Sequence, residues 1–217
     1  MVNWQECQAM RVFVIGGSGL LGRCIAAEAQ SRGHAVTAQS RGAARVPPWA
    51  HPAVGHPCDA EFLAAALPGH DAVFYALGVD HAQPTTLFSD STRALISAMQ
   101  AAGITRLVAV TGVGTGESRG HGGWLYNRII FPLFNRHRHA DKSVQEELIA
   151  DSTLDWTIIR PGRFTAGPLP GALLAVWPVP PDLQVNAATR EEVAEYMLDV
   201  MEQNRWPHAR PLVGHMA

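Results

Sequence analysis

Gly16, Gly19 and Gly22 stand three apart in the stretch RVFVIGGSGLLGRCIAA, residues 11–27. The β-branched run 12–15 ahead of them reads as a buried strand, and the Ala-rich residues behind them read as a helix. A strand, a tight glycine turn and a helix make a cradle for phosphate. Gly16 lets the chain reverse, Gly19 removes the Cβ that would hold a pyrophosphate away, and Gly22 lets the helix pack on the strand. The helix N-terminus then offers unpaired N–H groups and a partial positive charge to the anion. Gly17, Ser18, Leu20 and Leu21 complete the turn and count with the glycines as dinucleotide-binding positions.

A second strand is expected over 34–39, and its end would face the adenosine ribose. An acidic residue there would hold the 2′-hydroxyl of NAD, but Arg41 stands at that place with Arg45 close behind. A guanidinium pairs well with a 2′-phosphate, so NADP(H) is favoured over NAD(H). Ala76, Leu77 and Gly78 follow the apolar run 71–77, at the carboxyl end of an expected central strand where open α/β sheets place their ligands.

The elements that must position these residues alternate. A short strand is expected near 53–55, and Asp59 then caps a helix over 61–67. A helix follows over 88–102, closed by Gly103, with strands at 106–110 and 155–159. A helix over 140–150 carries an apolar row of Ala140, Val144 and Leu148, and the run 136–139 before it reads as a solvated basic loop. A helix over 125–131, a last helix over 190–203 and a strand over 211–214 complete the expected order. The whole predicts an α/β fold, a Rossmann-type doubly wound sheet, mostly parallel, with helices on both faces and a 3-2-1-4-5 strand order extended at one edge.

The 217 residues suit one domain, taken as 10–217 after a short extension over 1–9. A net charge of -2 without a long basic run speaks against nucleic-acid binding. Cys7, Cys24 and Cys58 are odd in number and widely spaced, which suggests reduced thiols rather than a disulfide framework or zinc site. No stretch is long and apolar enough to span a bilayer, and the expected location is cytoplasmic.

The glycine turn, LVAVTGVG (107–114) and DWTIIRPGRFTAGP (155–168) together resemble the short-chain dehydrogenase/reductase superfamily. The likeness is to its atypical small NAD(P)H-binding branch, NmrA-like and biliverdin reductase B-like proteins, from about residue 10 onward. That resemblance implies that Asp59, with Ala60, lies against the adenine and that Thr111 takes the position of the catalytic Ser or Thr, its hydroxyl donating to a substrate. It also implies that Lys142 holds the nicotinamide ribose, and that Pro161, Gly162 and Arg163 bring backbone groups to the carboxamide.

One departure from the superfamily carries most weight. Members that reduce carbonyls carry Tyr-x-x-x-Lys, but the residue four before Lys142 is Arg138. An arginine stays protonated and cannot serve as the acid. The resemblance then implies an NADPH-dependent oxidoreductase that passes hydride to a small conjugated acceptor such as a flavin or quinone, a planar aromatic one included, whose proton comes from solvent. Biliverdin reductase B-like members lack the same tyrosine. A non-catalytic NADP(H) sensor acting through a protein partner is the rival reading, and an epimerase or dehydratase a distant third. His121, His137 and His139 are candidate proton donors near neutral pH; His137 and Asp141 do not by themselves make a metal site, and none is expected. Residues 168–181 form a flap, a subunit contact or core, with Trp124, Phe164 and Trp177 as a candidate aromatic pocket. Monomer and dimer both stay open.

Overall fold

A computed structural model describes residues 9–81, 83–123, 128 and 136–216, with the side chains of Arg136 and His137 excepted. The expected helix over 125–131, with Trp124 and Tyr126, lies outside the described residues, as do residues 1–8 of the extension.

Runs of apolar β-branched residues form the parallel strands, and the Ala- and Leu-rich segments between them form the crossover helices. In chain order these are β1 (Arg11–Ile15), α1 (Leu20–Ser31), β2 (Ala35–Ser40), β3 (His51–Val54), α2 (Ala60–Ala66), β4 (Ala72–Tyr75), α3 (Leu87–Ala102) and β5 (Arg106–Val110). There follow α4 (Arg136–Ala150), β6 (Asp155–Pro161), β7 (Arg163–Phe164), β8 (Leu174–Val176), β9 (Val185–Ala188), α5 (Arg190–Glu202) and β10 (Leu212–Met216).

The sheet runs β3-β2-β1-β4-β5-β6-β10, with every neighbouring pair parallel. This is the expected core order, extended past β6. Beyond β10 the pairing turns antiparallel to β9 and β8. Alternation along β1 divides the core: Val12 and Val14 pack with Ile25 of α1 and Met197 of α5, while Phe13 and Ile15 pack with Leu63 of α2 and Leu95 of α3. Among the described residues no helix is long and apolar enough to cross a membrane.

Four expectations need correction. The third strand starts at His51 and includes Pro52, which a sheet tolerates because β3 lies at an edge. Residues 136–139 are the first turn of α4, not a loop. The buried face of α4 is Asp141, Gln145, Glu146 and Ile149, whereas Val144 of the apolar row is 38% exposed. Two of these polar side chains have partners in the interior: Glu146 accepts from the Thr111 hydroxyl, and Asp141 accepts from the amides of Phe88 at 2.9 Å and Ser89 at 3.3 Å, capping α3 from a neighbouring helix. Of residues 168–181, 174–176 pair with β10 as β8, so this segment is partly sheet and not a free flap.

Asp141→Ala should therefore leave two amides at the start of α3 without their acceptor and lower stability by about 1–3 kcal/mol. Urea unfolding measures this, and an unchanged midpoint would contradict the capping role.

Candidate functional site

The glycine turn opens a cavity of about 320 Å³ whose walls include Gly16, Ser18, Gly19, Ser40, Arg41, Arg45, His56 and Pro57, facing Ala76, Leu77 and Gly78. Gly16 has φ +76°, and a Cβ there would fall 2.9 Å from the carbonyl oxygen of Ala76. A Cβ at Gly22 would meet the Gly16 carbonyl at 2.1 Å, so α1 rests directly on the turn. Buried Gln39 ties the turn to β2 and β3: its Oε1 accepts from the Gly16 amide at 2.9 Å, and its Nε2 donates to Gly55 O at 2.7 Å. Nothing in the sequence singled out Gln39 except its place next to the missing acid.

The start of α1 fits a phosphate group. Its N-cap, Gly19, makes no side-chain capping bond, and the first turn carries no acidic residue. The positive end of the helix therefore has no acidic side chain in its own first turn, and Asp80 is the one carboxylate among the described residues that line the cavity. Arg41 and Arg45 are exposed at the far end, and Arg23 donates to Ser18 O at 3.1 Å and Arg45 O at 2.9 Å, joining the turn to that basic segment. Of the other turn residues, Leu21 and Gly22 are buried and Leu20 is exposed, and none of the three lines the cavity. Gly17 packs on Ala38, which a Cβ would approach to 2.7 Å.

Asp59 and Ala60 do not line it either. Asp59 caps α2, accepting from the Phe62 amide at 3.1 Å, and His56 and Pro57 occupy the wall where Asp59 was expected. The cap alone accounts for this carboxylate.

A second cleft of about 280 Å³ brings together Thr111, Lys142, Pro161, Gly162 and Arg163 as expected, with Gly112, Val113, Arg138, His139 and Phe164. Lys142 donates to Thr111 O at 2.6 Å, and its ammonium sits 5.0 Å from the centre of the Phe88 ring. Burial, against the pull of Glu146, lowers its pKa from the usual 10.5 to about 8.

The Thr111 hydroxyl does not point its proton at the cleft. It donates to Glu146 Oε1 at 2.5 Å, which corrects the expectation that it donates to substrate. Glu146 in turn pairs with the fully buried Arg160, which also reaches Glu117 at 2.9 Å. Glu146 and Glu117 were not read from the sequence as site residues, and Arg160 entered only through the backbone of the Arg-Pro-Gly turn at 160–162. The one available signal was a charged side chain inside the apolar strand TIIRP, residues 157–161.

His139 shares a hydrogen bond of 3.0 Å with Thr115 Oγ1, whose own proton goes to Gly112 O. Burial, reinforced by Lys142 and Arg138, pushes the imidazole down to about 3. It is therefore neutral near pH 7, not the charged donor envisaged. His121 bonds to Leu183 O at 2.7 Å and lines neither cleft. The His137 side chain lies outside the described residues. Arg138, in the tyrosine's place, donates from Nε to His81 O at 2.9 Å and so stands between the two clefts, since His81 lines the first and Arg138 the second.

Gly162 donates to Val213 O at 2.8 Å, and a Cβ would come 3.1 Å from Asn186 O. Its small size thus serves sheet packing. Of the expected aromatic pocket, Phe164 lines the cleft, Trp177 does not, and Trp124 lies outside the described residues.

A parallel sheet whose first β–α turn is an uncapped glycine cradle, with arginines at its far end, defines a dinucleotide-binding α/β protein. The model of a family described as NAD(P)H-binding matches residues 16–204, and the chain belongs to that family. It is 28% identical to the photosystem II assembly factor Ycf39 of Synechocystis over 96% of this chain, but spans only 64% of that protein's length. It is 38% identical to the protein YwnB of Bacillus subtilis over 71% of this chain and 73% of that one. Among solved structures, the anaerobilin reductase ChuY of Escherichia coli superposes with a TM-score of 0.76 at 20% identity, covering 94% of this chain and 96% of that one. A short-chain dehydrogenase/reductase of Veillonella parvula, solved with NADP, gives 0.76 at 16% identity, covering 95% and 94%. Both show the same fold.

Because the folded-state pKa of Lys142 lies below its unfolded value, the unfolded chain binds more protons between pH 8 and 10.5. The cost of burying the charged ammonium, fully present below pH 8, should fade as pH rises through that window. Wild-type stability relative to Lys142→Met should therefore increase from pH 8 to 10.5 in urea unfolding. A flat difference would show that the lysine is not shifted.

Proposed function

We propose that the protein is an NADPH-dependent oxidoreductase that reduces a small conjugated acceptor of flavin or quinone type. The observation that carries this reading is the pair Arg138 and His139 beside Lys142: a fixed cation where a tyrosine would donate, and an imidazole that burial keeps neutral. When bound, NADPH supplies a hydride; the acceptor gains that hydride and one proton from water, leaving NADP⁺. A ring system that delocalises the added electron pair needs no acid at one atom, whereas an isolated carbonyl does.

The chain's own part is to bind and orient. The turn at Gly16, Ser18 and Gly19 receives the diphosphate, Arg41 with Arg45 receives the 2′-phosphate, and Gly78 leaves open space on the facing wall. Lys142, anchored on Thr111 O, holds the nicotinamide ribose. Thr111 acts as a positioning residue, since its proton is engaged by Glu146.

A second reading, an NADP(H) sensor that works through a protein partner, draws on that same engagement: the Thr111 hydroxyl gives its proton to Glu146 rather than to the cleft. The two separate in one assay. NADPH oxidation should be seen with flavins and quinones and not with aliphatic ketones; tight NADP(H) binding with no acceptor reduced would sink the enzyme reading and leave the sensor.

Arg41→Ala should weaken NADPH binding about tenfold or more, near 1.4 kcal/mol, with little change for NADH. Equal losses in a calorimetric titration of the two coenzymes would refute the 2′-phosphate role.

A further inference from the structure

From Ala166 to Ala172 the chain crosses the surface as a strap between β7 and β8. Among the described residues a single hydrogen bond holds it: Pro170 O accepts from His215 Nδ1 at 3.0 Å. Most of the strap is exposed, and glycines with positive φ flank its middle, Gly167 at +82° and Gly171 at +83°. Just outside it, the Thr165 amide donates to Ala188 O at 3.1 Å and Leu173 packs on the core. The strap continues directly from Arg163 and Phe164, which line the second cleft.

His215 stands on β10 with its side chain buried, and its other ring nitrogen, Nε2, lies 2.9 Å from Glu192 Oε1 on α5. Both neighbours of the ring accept and neither donates. A carbonyl oxygen has no proton to give, and Glu192 is ionised: burial works against its carboxylate, but bonds from Thr189 and His215 hold its pKa below the usual range. Two donated bonds need a proton on each nitrogen, which only the imidazolium has. His34 shows the contrast. Its Nε2 meets Glu202 Oε1 at 2.8 Å, but its Nδ1 accepts from the Met10 amide at 3.2 Å, so one proton suffices there.

The other charged groups of the surrounding elements are exposed or engaged elsewhere. On α5, Arg190 lies over the Phe164 ring, Glu191 accepts from Cys24 of α1, and Glu195 is exposed, as is Arg163 on β7. Arg160 on β6 is paired with Glu146 and Glu117, and β8, β9 and the strap carry no titratable side chain. When the ring loses one proton, the other can rest on either nitrogen. On Nδ1 it would leave the Nε2 lone pair facing a carboxylate; on Nε2 it leaves the Nδ1 lone pair facing a neutral carbonyl, the lesser repulsion. The proton stays with Glu192, and Pro170 O loses its donor.

We propose that His215 is a pH-governed tie on the wall of the second cleft: as an imidazolium it fastens the strap 166–172 to α5 through Pro170 O, and on deprotonation it lets the strap go. Release removes the outer support of Arg163 and Phe164. Its bearing on acceptor access rests on the reductase reading, whereas the tie itself does not.

Nuclear magnetic resonance of the coenzyme-free, 15N-labelled protein reads the tie between about pH 5 and 8, where histidine changes charge. Both His215 ring nitrogens should show imidazolium shifts at the lower end, and Nε2 alone should keep its proton at the upper end. Over the same range the amide order parameters of Gly167, Gly171 and Ala172 should fall from about 0.85 to below about 0.6. In His215→Leu they should be low at every pH. In Glu192→Gln the fall should move to lower pH, because the anion that favours the cation is gone. A neutral ring throughout, strap amides equally ordered at both ends of the range, or a fall that persists in His215→Leu overturns the proposal, and the first two need no variant. A strap that loosens in a protein reducing no flavin or quinone would keep the tie and sink the reductase reading; one that stays ordered at every pH in a protein reducing them would do the reverse.

Discussion

The charge on Arg160 is the constraint around which the second half of the molecule is arranged. A guanidinium buried completely in a central strand is tolerated only with close anionic partners, because desolvation penalises it heavily. Burial works against its protonated form, yet the hydrogen bonds it donates to Glu146 and Glu117 hold its pKa above the ordinary arginine value. Glu146 comes from α4 and Glu117 from the loop after β5, so one ion cluster fixes a helix and a loop to the sheet at once. The helix consequently docks through charge and hydrogen bonds on a face that hydropathy would have assigned to solvent. Thr111 and Lys142 take their positions from that docking, through Glu146 Oε1 and Thr111 O respectively.

The first half follows a different logic, steric rather than electrostatic. Helix α1 rests on the turn because Gly22 offers nothing to the Gly16 carbonyl, and the turn rests on β4 because Gly16 offers nothing to Ala76. Gln39 closes the arrangement by accepting from the turn's own amide, a bond that an acidic side chain reaching out to a ribose would not make. Arg138 joins the two halves through its bond to His81 O.

The glycine spacing and the apolar strand runs made the parallel core legible, because both report on backbone geometry that is local in sequence. Thr111 and Pro161 to Arg163 meet in one cleft because the ends of β5 and β6 fall on one edge of a parallel sheet, and the docking of α4 brings Lys142 to them. What stayed hidden depended on contacts across long separations. Asp141 caps a helix 53 residues earlier in the chain, and Glu146 draws the Thr111 hydroxyl from 35 residues away. Asp59 misled for the opposite reason: its local cap was visible, and the resemblance added a second role that the cavity wall does not give it.

Arginine in place of tyrosine changes which product the cleft stabilises. A tyrosine delivers a proton to one oxygen and is itself left anionic, so its neighbours must be cationic to lower its pKa. Here the cations remain, as Arg138, Lys142 and Arg163, while the acid they would have assisted is gone. Their field then acts on the acceptor directly. An acceptor that receives hydride becomes more negative by one charge, and fixed positive groups in a partly dry cleft lower the energy of that state without moving a proton. With a nicotinamide coenzyme bound, the same groups would disfavour its oxidised, cationic ring. On the proposed function, charge separation across the two ligands would then take the place of acid catalysis by the protein.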